Sequence, residues 1–290
     1  MKVLITGCHG QVGTELMFLA ETHGCEALGV DRDTLDITDQ SAINQAMQNY
    51  KPEVVINAAA YTAVDKAESD VQAALAVNAT AVTYLAEACA KDAIPFVHIS
   101  TDYVFDGNKE GAYLEADPVS PLGVYGETKL AGEDAVKSFC EQYYILRTSW
   151  VFSAHGNNFV KTMLRLGAER KELGIVADQY GKPTSAREIA RTIYAMLAHD
   201  SQAWGTYHVA QPESATWFDF AKAIFLAADT QGLKMEVSTL KAIKTEDYPT
   251  PAKRPKNSAL DCSKLEQAFE LKIRPWEISL SDVVKDLKNA

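Results

Sequence analysis

The fold of this chain is decided by its opening stretch, which reads KVLITGCHGQVG over residues 2–13. A short β-branched run leads into a turn containing Gly7, Gly10 and Gly13, and apolar residues then recur at helical spacing. This order of strand, glycine turn and helix is typical of a dinucleotide-binding βαβ unit. The glycines let the backbone approach a pyrophosphate, and the helix that begins near Gln11 would present unpaired amides and a positive dipole end to it. We therefore predict a dinucleotide site here, against the alternative of a plain structural turn.

An acidic residue follows the glycine turn at the distance expected for such a site. Asp31 ends a second short run at residues 27–30. Its carboxylate would accept hydrogen bonds from the adenine ribose and repel a 2′-phosphate, which favours NADH. Arg32, directly after it, could soften that preference by pairing with the phosphate. The sequence therefore leaves both NADH and NADPH open.

Strands and helices alternate through the first half of the chain. The runs that resemble strands are residues 2–6, 27–30, 54–56, 95–100 and 144–148. This alternation predicts the α/β class, with a Rossmann-like, doubly wound parallel sheet that binds ligands at the carboxyl ends of its strands. Thr38 precedes the helical pattern between the second and third runs, and we expect it to be the N-cap of that helix.

The chain is predicted to contain two unequal parts. Residues 1–150 would form the NAD(P)-binding domain, because the alternation stops after Trp150. Residues 151–290 would form mainly a smaller C-terminal substrate-binding lobe, with the chain crossing back to the first part.

Composition excludes several functional classes. The 290 residues are 47% hydrophobic and 23% charged, as in ordinary globular proteins. A net charge of −11 argues against a nucleic-acid partner. No run of eighteen apolar residues occurs, and the N-terminus reaches glycine too early for a signal peptide, so we expect no membrane partner. Five scattered cysteines suit reduced thiols in the cytoplasm, and the six histidines form no zinc-like motif, so no metal residues are assigned.

Residues 100–129 carry the candidate chemistry. Tyr125 and Lys129 are four apart on a predicted helix, and a Ser100–Thr101 pair ends the fourth strand. A protonated lysine favours a phenolate, so Tyr125 could donate a proton to a carbonyl oxygen that a strand-end hydroxyl holds. The alternative is an ordinary aromatic–cation pair. Ser100 and Thr101 should point to opposite sides of the strand, and spacing does not choose between them.

These residues together resemble the dTDP-4-dehydrorhamnose reductase family of the extended short-chain dehydrogenase/reductase superfamily. The resemblance covers nearly the whole chain, and several of its motifs are far more specific than the glycine turn. The matching segments are residues 7–13, 57–68, 100–107, 120–133, 147–151, 178–184 and 254–258.

The resemblance implies reduction of the 4-keto group of dTDP-4-dehydro-L-rhamnose to dTDP-L-rhamnose. It makes Thr101 the catalytic hydroxyl, Tyr125 the proton donor, and Lys129 the residue that binds the nicotinamide ribose and tunes the tyrosine. Thr101, Asp102 and Trp150 fall on positions that touch the deoxysugar. The residues implied to bind the dinucleotide are Gly7, Gly10, Gln11, Val12, Gly13, Asp31, Asp36, Ile37, Ala60, Tyr61 and Thr62, with Tyr125 and Lys129.

Further residues carry both a functional and a structural interpretation. Trp150 could stack on a sugar face or pack in a core. Arg254 could grip the substrate diphosphate or belong to a solvated basic loop. His98 is predicted to be a hydrogen-bonded core histidine. A magnesium ion is implied by the family resemblance alone, and a homodimer is an assembly that the sequence allows.

Other functions stay open at this point. Nucleotide-sugar dehydratases follow the catalytic hydroxyl with an Asp-Glu pair, whereas here Asp102 is followed by Tyr103, which argues against dehydration. An epimerase that keeps its NAD bound is a second enzymatic interpretation. A regulatory subunit of the methionine adenosyltransferase type is a third, against which the intact Thr101, Tyr125 and Lys129 weigh.

Overall fold

A computed structural model describes residues 1–289 and contains a central sheet of six parallel strands. Within the described residues there are twelve strands, six of which form this sheet and six of which form three two-stranded sheets. They are β1 (Lys2–Thr6), β2 (Glu26–Val30), β3 (Val54–Asn57), β4 (Phe96–Thr101), β5 (Tyr143–Thr148), β6 (Val151–Phe152), β7 (Glu172–Val176), β8 (Tyr180–Gly181), β9 (Thr184–Ser185), β10 (Gly205–His208), β11 (Ala215–Thr216) and β12 (Thr239–Ile243). The central sheet has the order β10-β5-β4-β3-β1-β2, and its neighbouring strands are all parallel.

Helices cover both faces of this sheet. They are α1 (Gln11–Ala20), α2 (Gln40–Tyr50), α3 (Val64–Ala67), α4 (Val71–Leu75), α5 (Ala81–Lys91), α6 (Val124–Phe139), α7 (Phe159–Glu169), α8 (Ala186–Ala198), α9 (Trp217–Thr230), α10 (Ser263–Phe269) and α11 (Trp276–Asn289). Alternate residues of each strand enter opposite cores: Val3 and Ile5 pack with α1 and α8, whereas Leu4 packs with α2 and α5. The predicted doubly wound α/β fold is confirmed.

The expected cap of α2 is wrong by one residue. Asp39 is the N-cap, and its carboxylate accepts hydrogen bonds from the backbone amides of Ser41 and Ala42. The Thr38 hydroxyl instead donates to the Asp36 carboxylate at 2.7 Å. Aspartate is at least as good a cap as threonine, and both residues precede the helix, so spacing alone could not separate them.

The apolar helix Val71–Lys91 is explained by its place in the core. It is 21 residues long and, by length and composition alone, could cross a membrane. Here α5 buries Val82, Leu85 and Cys89 against the central sheet, in the same cluster as Val55 of β3. Its apolar face therefore serves the fold.

The chain after residue 150 contributes to two packing units. Phe152, Val160, Leu173, Phe220 and Trp276 belong to a separate apolar core. Strand β10 returns to the central sheet beside β5, and α8 packs on α1. The division into residues 1–150 and 151–290 remains a prediction.

The order of the central sheet reverses at β1, which has β2 on one side and β3 on the other. A crevice opens at the carboxyl ends of the strands at such a point, because the helices that follow β1 and β3 lie on opposite faces. The glycine turn after β1 lies at that crevice.

Candidate active site

A cleft of about 1080 Å³ runs along the carboxyl edge of the central sheet. It holds most of the residues that the sequence predicts for the site. Those that line it are Gly7, Gly10, Gln11, Val12, Asp31, Asp36, Ile37, Ala60, Tyr61, Thr62, Thr101, Asp102, Tyr125, Lys129 and Trp150. Gly13 and Arg254 lie elsewhere.

The three glycines of the turn do different work. Gly7 has a φ of +67°, and a Cβ there would lie 2.7 Å from the backbone of Ala59. A Cβ on Gly13 would lie 2.1 Å from the carbonyl oxygen of Gly7, so this glycine lets α1 pack against the turn. Gly10 has ordinary φ and lines the cleft. Close packing thus constrains Gly7 and Gly13 most, whereas a Cβ at Gly10 would meet only the carbonyl oxygen of Gly7, at 3.2 Å, and would project where a ligand could lie.

The N-terminus of α1 is suited to an anion. Among the described residues, no side chain caps this helix and no acidic residue occupies its first turn. Its dipole thus favours negative charge at the cleft. The Gln11 side chain is engaged elsewhere, since it accepts a hydrogen bond from Asn158 at 2.9 Å and so ties the turn to the segment after β6.

The Asp31 carboxylate is already held in place. Oδ1 accepts hydrogen bonds from the backbone amide and hydroxyl of Thr34, at 3.1 and 2.9 Å. Oδ2 lies 2.6 Å from Nδ1 of the largely exposed His9. The Thr34 hydroxyl and amide, with His9, lower the pKa of Asp31 despite some desolvation. A fixed carboxylate at a strand end suits a ribose diol.

Asn78 was missed by sequence reasoning. The π-helical segment Ala76–Thr80 joins α4 to α5 and brings the Asn78 side chain out to the Tyr61 backbone, where it accepts from the amide at 2.8 Å and donates to the carbonyl at 3.1 Å. Its amide also donates to Thr128 of α6. An asparagine inside an apolar helical pattern was the available signal, because π-turns are enriched at functional sites.

The two candidate hydroxyls at the end of β4 take different partners. Ser100 donates to Glu133 at 2.7 Å, so its hydroxyl is bound on the α6 side. Thr101 donates to the Asp102 carboxylate at 3.0 Å and lies close enough to the Tyr125 phenol to affect its pKa. The structure thus brings Thr101, rather than Ser100, beside the tyrosine.

Tyr125 lies edge-on to Tyr103, with ring centroids 5.4 Å apart. Burial raises the pKa of Tyr125 to about 12; the Asp102 carboxylate adds to this effect, and the Thr101 hydroxyl opposes it. The phenol is therefore protonated at neutral pH and can act as an acid.

Asp102 is the most unusual carboxylate in the cleft. It is 2% exposed, and within residues 1–289 its Oδ2 has no hydrogen-bond partner, as is also true of the nearby Thr148 hydroxyl. Burial raises the pKa of Asp102 to about 6, although the Ser258 and Thr101 hydroxyls oppose the shift. Two such buried polar atoms at one cleft can be completed by a polar ligand or by water.

Lys129 is 1% exposed and points its amine back toward β4. Nζ donates to the Ile99 carbonyl at 2.6 Å and lies 3.4 Å from Nε2 of His98. Burial lowers the pKa of Lys129 to about 8, and the Glu133 carboxylate opposes this shift. The predicted core position of His98 is confirmed, since it is fully buried and hydrogen-bonded.

A buried ion pair supports this region from behind. Glu133 accepts from Nε and Nη2 of Arg147 at 2.8 and 2.7 Å, and both side chains are almost completely buried. The pair ties α6 to β5. Sequence reasoning missed it, although Glu133 follows Lys129 by four residues and so lies on the same helix face.

Trp150 is held in a sparsely populated backbone conformation, with a φ of +47°. Its ring stacks on Trp217 with centroids 3.5 Å apart, and a Cβ at Gly181 would lie 2.4 Å from it. A bulky residue at positive φ marks local strain, which clusters at ligand sites. Trp150 both packs on the second core and lines the cleft.

Arg254 is paired with a carboxylate of the first part of the chain. Nη2 and Nη1 donate to Asp65 at 2.8 and 3.1 Å. The loop around Arg254 is thereby fastened to α3. This is a bidentate, partly buried pair, unlike the solvated basic loop that was the alternative.

The part of the chain that the structure describes brings no three His, Cys, Asp or Glu side chains together as a metal site. The magnesium ion that the family resemblance implied therefore stays a prediction, since this ion is commonly held by only one or two carboxylates together with water.

A doubly wound sheet with a glycine turn at its reversal point, in one cleft with Thr101, Tyr125 and Lys129, is typical of NAD(P)-dependent enzymes of Rossmann-like fold. The family described as RmlD substrate binding domain matches residues 1–289. The dTDP-4-dehydrorhamnose reductase of Aggregatibacter actinomycetemcomitans is 44% identical over 97% of this chain and 98% of the relative.

Solved structures agree with this match. A dTDP-4-dehydrorhamnose reductase from Clostridium acetobutylicum is 40% identical with a TM-score of 0.93, covering 99% of this chain and 100% of the other. The Bacillus anthracis enzyme, solved in complex with NADP, is 38% identical with a TM-score of 0.92, covering 98% and 99%. The chain belongs to the dTDP-4-dehydrorhamnose reductase family.

Proposed function

We propose that the protein reduces the 4-keto group of dTDP-4-dehydro-L-rhamnose to give dTDP-L-rhamnose, with NADH or NADPH as the reductant. The observation that carries this proposal is the placement of the Thr101 hydroxyl, the Tyr125 phenol and the Lys129 amine in the same cleft as the glycine turn. Family membership along the whole chain supports it.

The protein residues would handle the proton and the developing charge. Bound nicotinamide supplies the hydride. The Thr101 hydroxyl holds the carbonyl oxygen, and Tyr125, protonated at neutral pH, donates its proton to that oxygen. The ammonium group of Lys129 favours the phenolate that Tyr125 becomes.

The residues present fit a dinucleotide. Gly10 and the uncapped N-terminus of α1 suit the pyrophosphate, and the Asp31 carboxylate suits the adenine ribose. Tyr61 lines the same end, held by Asn78. Because the Bacillus anthracis relative was solved with NADP, we propose that Arg32, which also lines the cleft, accommodates a 2′-phosphate.

The sugar would contact the buried polar groups at the other end of the cleft. The free Oδ2 of Asp102 can accept from a sugar hydroxyl, and the Trp150 ring can stack on a sugar face. Arg254 is proposed as a diphosphate ligand, which requires it to share or exchange its bond with Asp65.

We propose that the enzyme works in the cytoplasm on a small molecule, without a nucleic-acid or membrane partner. The net charge of −11 supports the first exclusion, and the packing of α5 against the central sheet supports the second. A homodimer is the proposed assembly, and light scattering would give the mass of two chains. In this view residues 1–150 bind the cofactor and residues 151–290 mainly bind the nucleotide sugar.

The direct test supplies purified protein with the keto sugar and either NADH or NADPH. We expect many molecules of nicotinamide to be oxidised per protein chain, and NMR of the product to show the L-rhamno configuration at C4. Oxidation of no more than one nicotinamide per chain would instead identify an epimerase that retains its cofactor. No turnover with either nucleotide would contradict the proposal.

A further inference from the structure

A chain of buried polar side chains runs from the last residues of β1 and β3, through His98 in the middle of β4, to Lys129. The Thr6 hydroxyl lies 2.6 Å from Oδ1 of Asn57, and Nδ2 of Asn57 lies 3.1 Å from Nδ1 of His98. Nε2 of His98 then lies 3.4 Å from Nζ of Lys129. All four residues are at most 1% exposed, so water does not screen these contacts.

The orientation of the Asn57 amide is fixed by the backbone. The amide N–H of Ala59 can only donate, and it lies 3.2 Å from the Asn57 side chain. The atom it meets must therefore be the oxygen, Oδ1. The nitrogen of Asn57 consequently faces His98 and donates to its Nδ1.

This bond fixes the tautomer of His98. Burial lowers the pKa of His98 well below its usual value, and the Lys129 charge lowers it further, so the ring is neutral. A neutral imidazole carries one proton. Because Nδ1 accepts from Asn57, that proton is on Nε2 and points toward Lys129.

The amine of Lys129 can complete this contact in only one protonation state. An ammonium group has three donors and no lone pair, so it meets the Nε2–H of His98 as a second donor. An uncharged amine can donate to the Ile99 carbonyl and accept from His98. We propose that His98 is a positioning residue that donates a hydrogen bond to Lys129 and thereby stabilises the uncharged form of this lysine.

Two other ionisable groups act in this region: Glu133 favours the charged form of Lys129, and Asp102 acts on Tyr125. Glu133 on α6 favours the charged lysine, but its carboxylate is shared with Arg147 of β5, Ser100 of β4 and Lys137 of α6. Tyr125, one turn earlier on α6, is influenced by Asp102 from the turn after β4. His98 is thus the donor that opposes Glu133 at the amine itself.

The inference deepens the proposed function and rests on it for its consequence. If the Lys129 charge is needed to stabilise the Tyr125 phenolate, activity declines as the pH rises through the pKa of Lys129. His98 then sets the pH at which this decline occurs, and its loss moves the decline to higher pH.

The test is an NMR titration of lysine side chains labelled with ¹³C, which requires no substrate. Lys129→Arg identifies the Lys129 signal by its disappearance. His98→Asn keeps an acceptor for Asn57 but lacks a donor that reaches Lys129, whereas His98→Gln keeps a donor near the Nε2 position. We expect the titration midpoint of Lys129 to rise by about 0.5–1 pH unit in His98→Asn, because one hydrogen bond to the uncharged form is lost, and to stay near wild type in His98→Gln.

The pH profile of kcat/KM should show the same shift of its alkaline limb in His98→Asn. Equal Lys129 midpoints in the wild type and His98→Asn would overturn the inference, even if the enzyme turns over as proposed. A measurement on the wild type needs no variant to fold: ¹⁵N shifts of His98 should show a proton on Nε2 and none on Nδ1. The reverse tautomer would also overturn it.

Discussion

The two ends of the cleft are built in different ways. The cofactor end is formed largely by two short stretches of the chain, with lining residues at positions 7–12 and 31–38, and Asp31 accepts hydrogen bonds from Thr34, three positions away. The reactive end is assembled from distant parts of the chain. There Asp102 and Thr148 each have a buried polar atom without a partner among the described residues, and Lys129 is almost completely buried from water.

The two ends also differ in whether the folded protein stabilises or destabilises the charged form of its ionisable side chains. Local hydrogen bonds lower the pKa of Asp31, so the folded protein stabilises its charged form. Burial raises the pKa of Asp102 and lowers that of Lys129, so the charged forms of both are disfavoured. Strain of this kind is expected where a ligand completes the structure. Substitutions at the reactive end should therefore change catalytic rate and stability, whereas substitutions at the cofactor end should change cofactor preference.

The largest expected effect is the loss of rate in Tyr125→Phe. Removal of a general acid costs about 10²–10⁴-fold, so we expect a fall of this size in kcat. Steady-state oxidation of NADH or NADPH with the keto sugar measures it. Tyr103→Phe removes the hydroxyl of the neighbouring ring and is the matched control. Wild-type turnover by Tyr125→Phe would show that another group donates the proton.

The buried pair behind the reactive end should carry the largest effect on folding. Glu133→Ala leaves Arg147 buried without its carboxylate, which costs roughly 3–5 kcal/mol of unfolding free energy. Urea denaturation followed by fluorescence measures this. Glu127→Ala changes an exposed glutamate of the same helix, and we expect it to cost less than about 0.5 kcal/mol. Similar losses in both variants would contradict the assigned role of the pair.

Asp102→Asn should make the protein more stable and less active. Burial raises the pKa of Asp102 from 3.8 to about 6, so the folded state holds this proton more tightly, and the free energy of unfolding falls as pH rises through that window. The side-chain amide of Asn does not ionise, so the Asp102→Asn variant avoids this loss of unfolding free energy. We expect a gain of up to about 3 kcal/mol above about pH 6 and none below about pH 4.

Denaturation at both pH values checks this sign. Asp106→Asn is the control, because the Asn108 amide and the Tyr113 hydroxyl lower the pKa of Asp106. Its stabilising charge is present above the unfolded pKa, so this variant should lose stability at neutral pH. A loss in both variants would remove the distinction between the two carboxylates.

The smallest effect is expected at the cofactor end. Asp31→Asn removes the charge that repels a 2′-phosphate, so the ratio of kcat/KM for NADPH to that for NADH should rise on the order of tenfold. Asp33→Asn, a neighbouring carboxylate outside the cleft, should leave the ratio unchanged. A large loss of catalytic rate in Asp31→Asn with both cofactors would mean that the two ends are not separable in this way.

The same difference explains what the sequence could predict. The glycine turn, Asp31 and the strand alternation follow from local patterns, and the fold was predicted correctly down to its doubly wound sheet. Strand β10 gave no local sign that it would join the central sheet, because parallel strands pair through contacts far apart in sequence.

The supporting residues of the reactive end were harder to find. Asn57 bonds to Thr6, 51 positions away, and Asn78 bonds to Tyr61, 17 positions away. Glu133 bonds to Arg147, 14 positions away. The spacing of residues in the sequence does not predict such partners. The choice between Ser100 and Thr101 likewise depended on Glu133 being available to bind one of them. The sequence shows which residue types are present, whereas their hydrogen-bond partners are known only from the folded structure.

The packing of the glycine turn limits what that motif can report in a distant relative. Gly7 and Gly13 are required by the backbone of Ala59 and by the turn itself, whether or not a nucleotide is present. A descendant that had lost its cofactor would still keep both glycines, or its first helix could not sit against the sheet. The informative position is Gly10, because a Cβ there would meet only the carbonyl oxygen of Gly7, at 3.2 Å, while narrowing the space proposed for the pyrophosphate. Motif searches that score the three glycines equally would therefore overcount cofactor-binding proteins of this fold.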